Sequence, residues 1–67
     1  MAKGTIKLFN EEKGFGFIMP DEGGRDIYFT TNRLDMPEKS LSVGSRVEYT
    51  EEFGKKGPEA THIKPID

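Results

Sequence analysis

Glycine and proline interrupt this chain so often that long helices have no room. The longest stretch free of both is Arg25–Met36, twelve residues. Elsewhere a breaker falls every ten or so residues, the spacing of short strands joined by turns. Between the breakers the apolar residues alternate with polar ones. "KGTIKLFN" (3–10) sets Ile6 and Leu8 against Thr5 and Lys7 and reads as a first strand. "NEEKG" (10–14) is a tight turn. "FGFIMP" (15–20) is a second strand, ended by Pro20, and "DEGG" (21–24) turns the chain again. "DIYFTT" (26–31) is β-branched and aromatic, a third strand. Residues 32–45 form a long connection with a short helical turn near Asn32–Leu34. "RVEYTEEF" (46–53) and "EATHIKPI" (59–66) are the fourth and fifth strands, separated by the turn "GKKGP" (54–58).

Five short strands with one long connection after the third predict an all-β fold, a small five-stranded antiparallel barrel in which closure removes exposed sheet edges. The whole chain, 1–67, is expected to form a single domain. A chain of this length buries only roughly 60% of its unfolded surface. Its apolar fraction is 33%, enough for a thin core and not for a large ligand cavity. Alternation assigns that core to Ile6, Ile18, Ile27, Phe29, Leu34, Leu41, Val47, Tyr49 and Ile63. Phe15, Phe17 and Tyr28 are left over.

The surplus matters because of where it falls. In a strand, residues two apart share a face, so Phe15 and Phe17 lie side by side and opposite Ile18. Gly16 shares the Ile18 face and suits a strongly bent barrel strand. Lys7 and Lys13 fall close to the pair, and both are poor core neighbours. Aromatic faces interleaved with cations are what single-stranded nucleic acid requires: rings for the bases, charge for the phosphates. The net charge of −2 does not by itself point to a polyanion. Residues 1–18 carry +1, residues 19–38 carry −3 and the rest balances, so a bound polyanion must use a segregated basic strip.

"KGFGFI" (13–18) also matches most of an RNA-contact motif of the RRM fold. That fold needs a strand and a helix before the motif, and only twelve residues precede Lys13. The chain instead resembles the bacterial cold-shock proteins over nearly its whole length. "GTIKLFNEEKGFGFI" is similar to the family's opening, "LSVGSRVEY" to its fourth strand and "GPEA" to its approach to the fifth. The resemblance implies an OB-like barrel that binds single-stranded RNA and DNA and acts as an RNA chaperone. It implies nucleic-acid contacts at Lys7, Phe9, Lys13, Phe15, Phe17, Asp26, Tyr28 and Lys56, with Phe9 at the margin. The sequence departs from the family pattern where Ile27-Tyr28-Phe29-Thr30-Thr31 stands for Val-Phe-Val-His-Phe. Leu8 replaces a tryptophan, and a loop phenylalanine is missing near Glu38. At about 1–3 kcal/mol per stacked base, those losses imply weaker binding than the full pattern gives. The alternative use of the same barrel is a protein-interaction or assembly module with weakened nucleic-acid binding.

Other chemistry finds little support. There is no cysteine, hence no disulfide or thiolate site, which fits a reducing, cytoplasmic setting. A lone histidine, His62, cannot build a metal site and reads as solvent-facing. Glu11-Glu12 and Glu51-Glu52 read as solvated charges. No phosphate-cradling loop or nucleophile–base set is present, so no enzyme and no cofactor is expected. No apolar run reaches the ~18 residues of a membrane span, and no secretory signal is visible. The expected state is a monomer with nucleic-acid strands as its partners.

Overall fold

The computed structural model describes residues 2–55 and 57–66. Five strands form a closed barrel: β1 (Ala2–Asn10), β2 (Phe15–Pro20), β3 (Ile27–Thr30), β4 (Arg46–Gly54) and β5 (Gly57–Pro65). Around the barrel their order is β1-β2-β3-β5-β4. Two single-turn 3-10 helices, Thr31–Arg33 and Glu38–Ser40, punctuate the long connection. The first lies at the helical turn expected near Asn32–Leu34. The second carries no sequence signal strong enough to have been expected.

The barrel is antiparallel at every seam but one. β3 and β5 run parallel and meet through a single pair, Tyr28 with Glu59. The long connection causes this: it carries the chain away after β3, and only the β4–β5 hairpin brings it back. The all-antiparallel expectation therefore fails at the closing seam, while the five-stranded barrel stands. β4 and β5 also run further into their hairpin than "GKKGP" suggested, with Phe53 paired to Pro58 and Gly54 to Gly57.

The tight turn after β1 is built by Asn10. Its side-chain Oδ1 accepts the Lys13 amide at 3.0 Å, and its carbonyl accepts the Gly14 amide at 2.8 Å. Gly14 sits at φ 76°, a conformation that side chains resist. The core comprises Ile6, Ile18, Ile27, Phe29, Leu41, Val47, Tyr49, Ala60 and Ile63. Leu34 is only partly buried and packs against it, whereas Ala60 lies wholly inside.

A one-residue irregularity in β1 rearranges one face. Ile6 pairs with Ile18, yet Leu8 pairs with Phe17, so β1 holds one residue more than β2 between those pairs. Such a bulge flips the in–out parity of everything beyond it. Lys7 and Leu8 both face outward, and Phe9 turns inward to stack on Phe29, ring centroids 6.2 Å apart. Simple alternation had put Leu8 with Ile6; the bulge overturns that. A second irregularity lies in β5 between Thr61 and Lys64, where His62 adopts φ 52°.

Buried polar groups distinguish two cases. Thr61 donates its hydroxyl to Glu52 Oε2 at 2.9 Å. The Tyr49 hydroxyl is buried with no partner among the described residues. An unsatisfied buried hydroxyl costs about 1–3 kcal/mol. Tyr49→Phe is therefore expected to raise unfolding stability by about 1 kcal/mol, read by denaturant melts. Burial, with Glu51 and Asp21 nearby, also pushes the Tyr49 phenol above its usual 10.0. Its folded-state preference for the proton is fully present below the unfolded value and is lost as pH rises through the higher folded one. The variant should lose that alkaline decline, and melts that match the wild type at neutral and at alkaline pH would contradict the assignment.

Candidate nucleic-acid interface

The outer face of β2 and β3 is aromatic because of register. Phe17 pairs with Tyr28 and Phe15 with Thr30, while Ile18 and Ile27 pair with their side chains inside. The three rings form one cluster. Phe17 lies 5.8 Å from Tyr28 edge-on, Phe15 lies 6.1 Å from Tyr28 nearly parallel, and Phe15 meets Phe17 at 6.3 Å as a T. All three side chains are half-buried: held by one another below, open above. Each geometry is within the range that favours aromatic pairs, so the rings brace one another and are presented together on the outer face.

Two further apolar side chains extend the surface. Leu8, opposite Phe17, is 43% exposed, and Met19, two residues beyond Phe17 on the same face, is 48% exposed. Sequence reading passed over Met19, although the same period of two that linked Phe15 to Phe17 reaches it.

The cations are less available than the sequence suggested. Lys7 Nζ lies 3.0 Å from Asp26 Oδ2, and both side chains are solvent-accessible. The register puts this pair level with Ile18, so it crosses the outside of β2 between Phe17 and Met19. An exposed pair of this kind is worth only about 0–1 kcal/mol, so an incoming phosphate can compete for Lys7. Lys13, exposed on the β1–β2 turn, makes no ion pair among the described residues. Lys56 lies outside the described residues. Phe9 is half-buried, its ring directed onto Phe29.

The substituted positions are occupied in their own way. Thr30, opposite Phe15, donates its hydroxyl to Asn32 Oδ1. Thr31 is the first residue of the 3-10 turn, its amide bonded to the Gly14 carbonyl at 2.9 Å. Neither offers a ring. His62 is exposed and lies 3.3 Å from Asp35 of the long connection. Among the described residues no group of histidines and carboxylates is arranged to hold a metal. No helix is long and apolar enough to cross a membrane.

A closed five-stranded barrel with braced rings and flanking lysines on one face defines an OB-like binding domain. Comparison with known proteins gives the family. Residues 2–66 match the model of the "cold-shock" DNA-binding domain. The chain is 44% identical to cold shock protein CspV of Vibrio cholerae, over 90% of this chain and 87% of the relative. It is 46% identical to cold shock-like protein CspA of the same organism, over 94% and 91%. With cold shock-like protein CspD of Escherichia coli the identity is 41%, over 100% and 92%. The solved structure of drosophila Unr CSD456 superposes with a TM-score of 0.83 at 24% identity, covering 98% of this chain and 26% of that one, which shows the shared fold. The chain belongs to the cold-shock domain family of nucleic-acid-binding proteins.

Proposed function

We propose that this protein binds single-stranded RNA and DNA through the outer face of β1–β3, as a monomer acting in the cytoplasm with residues 1–67 as one domain. The observation that carries the reading is the braced cluster of Phe15, Phe17 and Tyr28 outside a barrel whose core is already filled by other residues. Unpaired bases stack on these rings. Lys13 and Lys7 meet phosphates, Lys7 by exchanging Asp26 for the strand. Asp26 then faces the base edges, where a carboxylate accepts from exocyclic amines. Lys56 is proposed as a further phosphate contact.

The action is passive. A protein that binds the unpaired state alone shifts a hairpin towards that state by mass action, without ATP or covalent chemistry. That is an RNA-chaperone role.

Salt dependence tests the charge assignment. Each neutralised phosphate on a single strand contributes a slope of about −0.7 in log K against log salt. Lys13→Gln should flatten the slope by about 0.7. Asp26→Asn, which releases Lys7 from its partner, should steepen it by up to the same amount, about 0.7. Titration of an oligothymidylate at several salt concentrations reads both. Slopes unchanged in both variants would mean that the phosphates run elsewhere.

A further inference from the structure

A cavity of about 520 Å³ opens at one end of the barrel, lined by none of the three outer rings. Its walls are the β2–β3 turn, with Pro20, Glu22 and Arg25, and the β4–β5 hairpin, with Glu51 and Phe53. The cleft exists because β4 outruns β1. Ala2 pairs with Tyr49, and among the described residues Glu51–Gly54 pair only with β5. The volume falls within the ~300–1,000 Å³ typical of small-molecule sites.

Two features of this cleft lack a structural use. Phe53 is 83% exposed and takes no part in the core. Lys3 and Arg25 line the cleft and make no ion pair among the described residues. An exposed ring, two cations without an ion pair among the described residues and the carboxylates of Asp21, Glu22 and Glu51 are together the elements of a base site: stacking, phosphate attraction and edge contacts.

The cleft also adjoins the outer face. Pro20 directly follows Met19, which shares the face of Phe15 and Phe17, and Arg25 directly precedes Asp26, the partner of Lys7. A strand leaving the three rings past Met19 therefore arrives at the cleft.

We propose that the cleft is a further base subsite, which takes one base from the strand lying on the outer face. The base stacks on Phe53, with its flanking phosphates towards Lys3 and Arg25. Glu22 and Glu51 repel phosphate and accept hydrogen bonds from an exocyclic amine, so the subsite takes cytosine in preference to thymine. The inference rests on the outer-face reading above, and its test separates the two.

Oligothymidylates of four and eight nucleotides are titrated against the wild type, Phe53→Ala and Phe17→Ala; OB-type sites span about 4–16 nucleotides. Phe53→Ala should weaken the eight-mer about tenfold and leave the four-mer unchanged, with no change in melting because the ring is exposed. Phe17→Ala should weaken both lengths. An eight-mer carrying a cytosine at the end that reaches the cleft should bind more tightly than the all-thymine strand, and Glu51→Ala should abolish that gain. Wild-type affinity of Phe53→Ala for the eight-mer, or an equal loss at both lengths, overturns the subsite. An unchanged affinity of Phe17→Ala at both lengths overturns the outer-face reading instead.

Discussion

Phe17→Ala should weaken binding to a pyrimidine-rich single strand by about 1–3 kcal/mol, roughly 5- to 150-fold in Kd, while the barrel stays folded. Phe17 is expected to be the most sensitive of the three rings because it alone lies level with both Leu8 of β1 and Tyr28 of β3, at the middle of the apolar surface, 5.8 and 6.3 Å from the other two rings. Its removal deletes one base platform and also unbraces Phe15 and Tyr28. The fold survives because Phe17 is outside the core, whose strand-two contribution is Ile18. Phe15→Ala and Tyr28→Ala should follow the same pattern with losses at or below that of Phe17. Affinity is read by titration and stability by thermal melting of the same variant. If Phe17→Ala melted far below the wild type while the remaining folded fraction bound normally, the ring would be a structural residue and the binding face would lie elsewhere.

The largest effect on stability is expected one residue away. A Cβ at Gly16 would lie 2.7 Å from Phe29 Cζ and 2.8 Å from its Cε1, and closer still to the Leu8 carbonyl oxygen. Neither neighbour can yield. Phe29 is fully buried and stacked under Phe9, and the Leu8 carbonyl belongs to the β1 bulge. Overpacking of a core costs typically 1–3 kcal/mol and occasionally more; with backbone as one obstacle, Gly16→Ala should cost about 3 kcal/mol or more. Small domains are marginal, so a large unfolded population is expected at ambient temperature, measured by circular dichroism and denaturant titration. Gly4→Ala should behave similarly, since its Cβ would meet Ile18 Cγ2 and the Met19 carbonyl oxygen, each at 2.6 Å. By contrast, wild-type melting of Gly16→Ala would show that Phe9 and Phe29 do not close over that glycine.

These two neighbours illustrate what the sequence reveals and what it conceals. The outward direction of Phe15 and Phe17 was legible because Gly16 and Ile18 fix the opposite parity locally, within four residues. Eight of the nine expected core residues are buried, most of them on a local alternation of the same kind; Leu41 in the long connection and Ile63 beside the β5 irregularity are buried without one. Ala60 was missed because a methyl group gives almost no hydrophobic signal, although its position inside β5 is fully enclosed. The exchange of Leu8 and Phe9 was hidden more deeply. A bulge is a property of two strands in register, and β1 alone alternates convincingly in the wrong phase. The ion pair of Lys7 with Asp26 joins residues nineteen apart, across a strand that lies between them. No pattern local to either residue announces it. The parallel closure of β3 on β5 is likewise a consequence of the whole circuit. Of the contacts that the family resemblance implied, Phe15, Phe17, Tyr28, Lys7 and Asp26 come together on one face, Lys13 flanks them on the β1–β2 turn, Phe9 stays half-buried against Phe29, and Lys56 lies outside the described residues.

Competition between strandedness states addresses the central claim most directly, because stacking on rings requires bases that a duplex keeps hidden. The chain has two tyrosines and no tryptophan. In Tyr49→Phe, Tyr28 alone therefore reports by fluorescence, from within the ring cluster. Titration with a pyrimidine-rich oligonucleotide should quench that signal saturably. The same oligonucleotide annealed to its complement should quench little, and at equal strand concentration its apparent Kd should be at least tenfold higher, about 1.4 kcal/mol. Equal quenching and equal affinity for the duplex would contradict a stacking face and reduce the interaction to phosphate attraction.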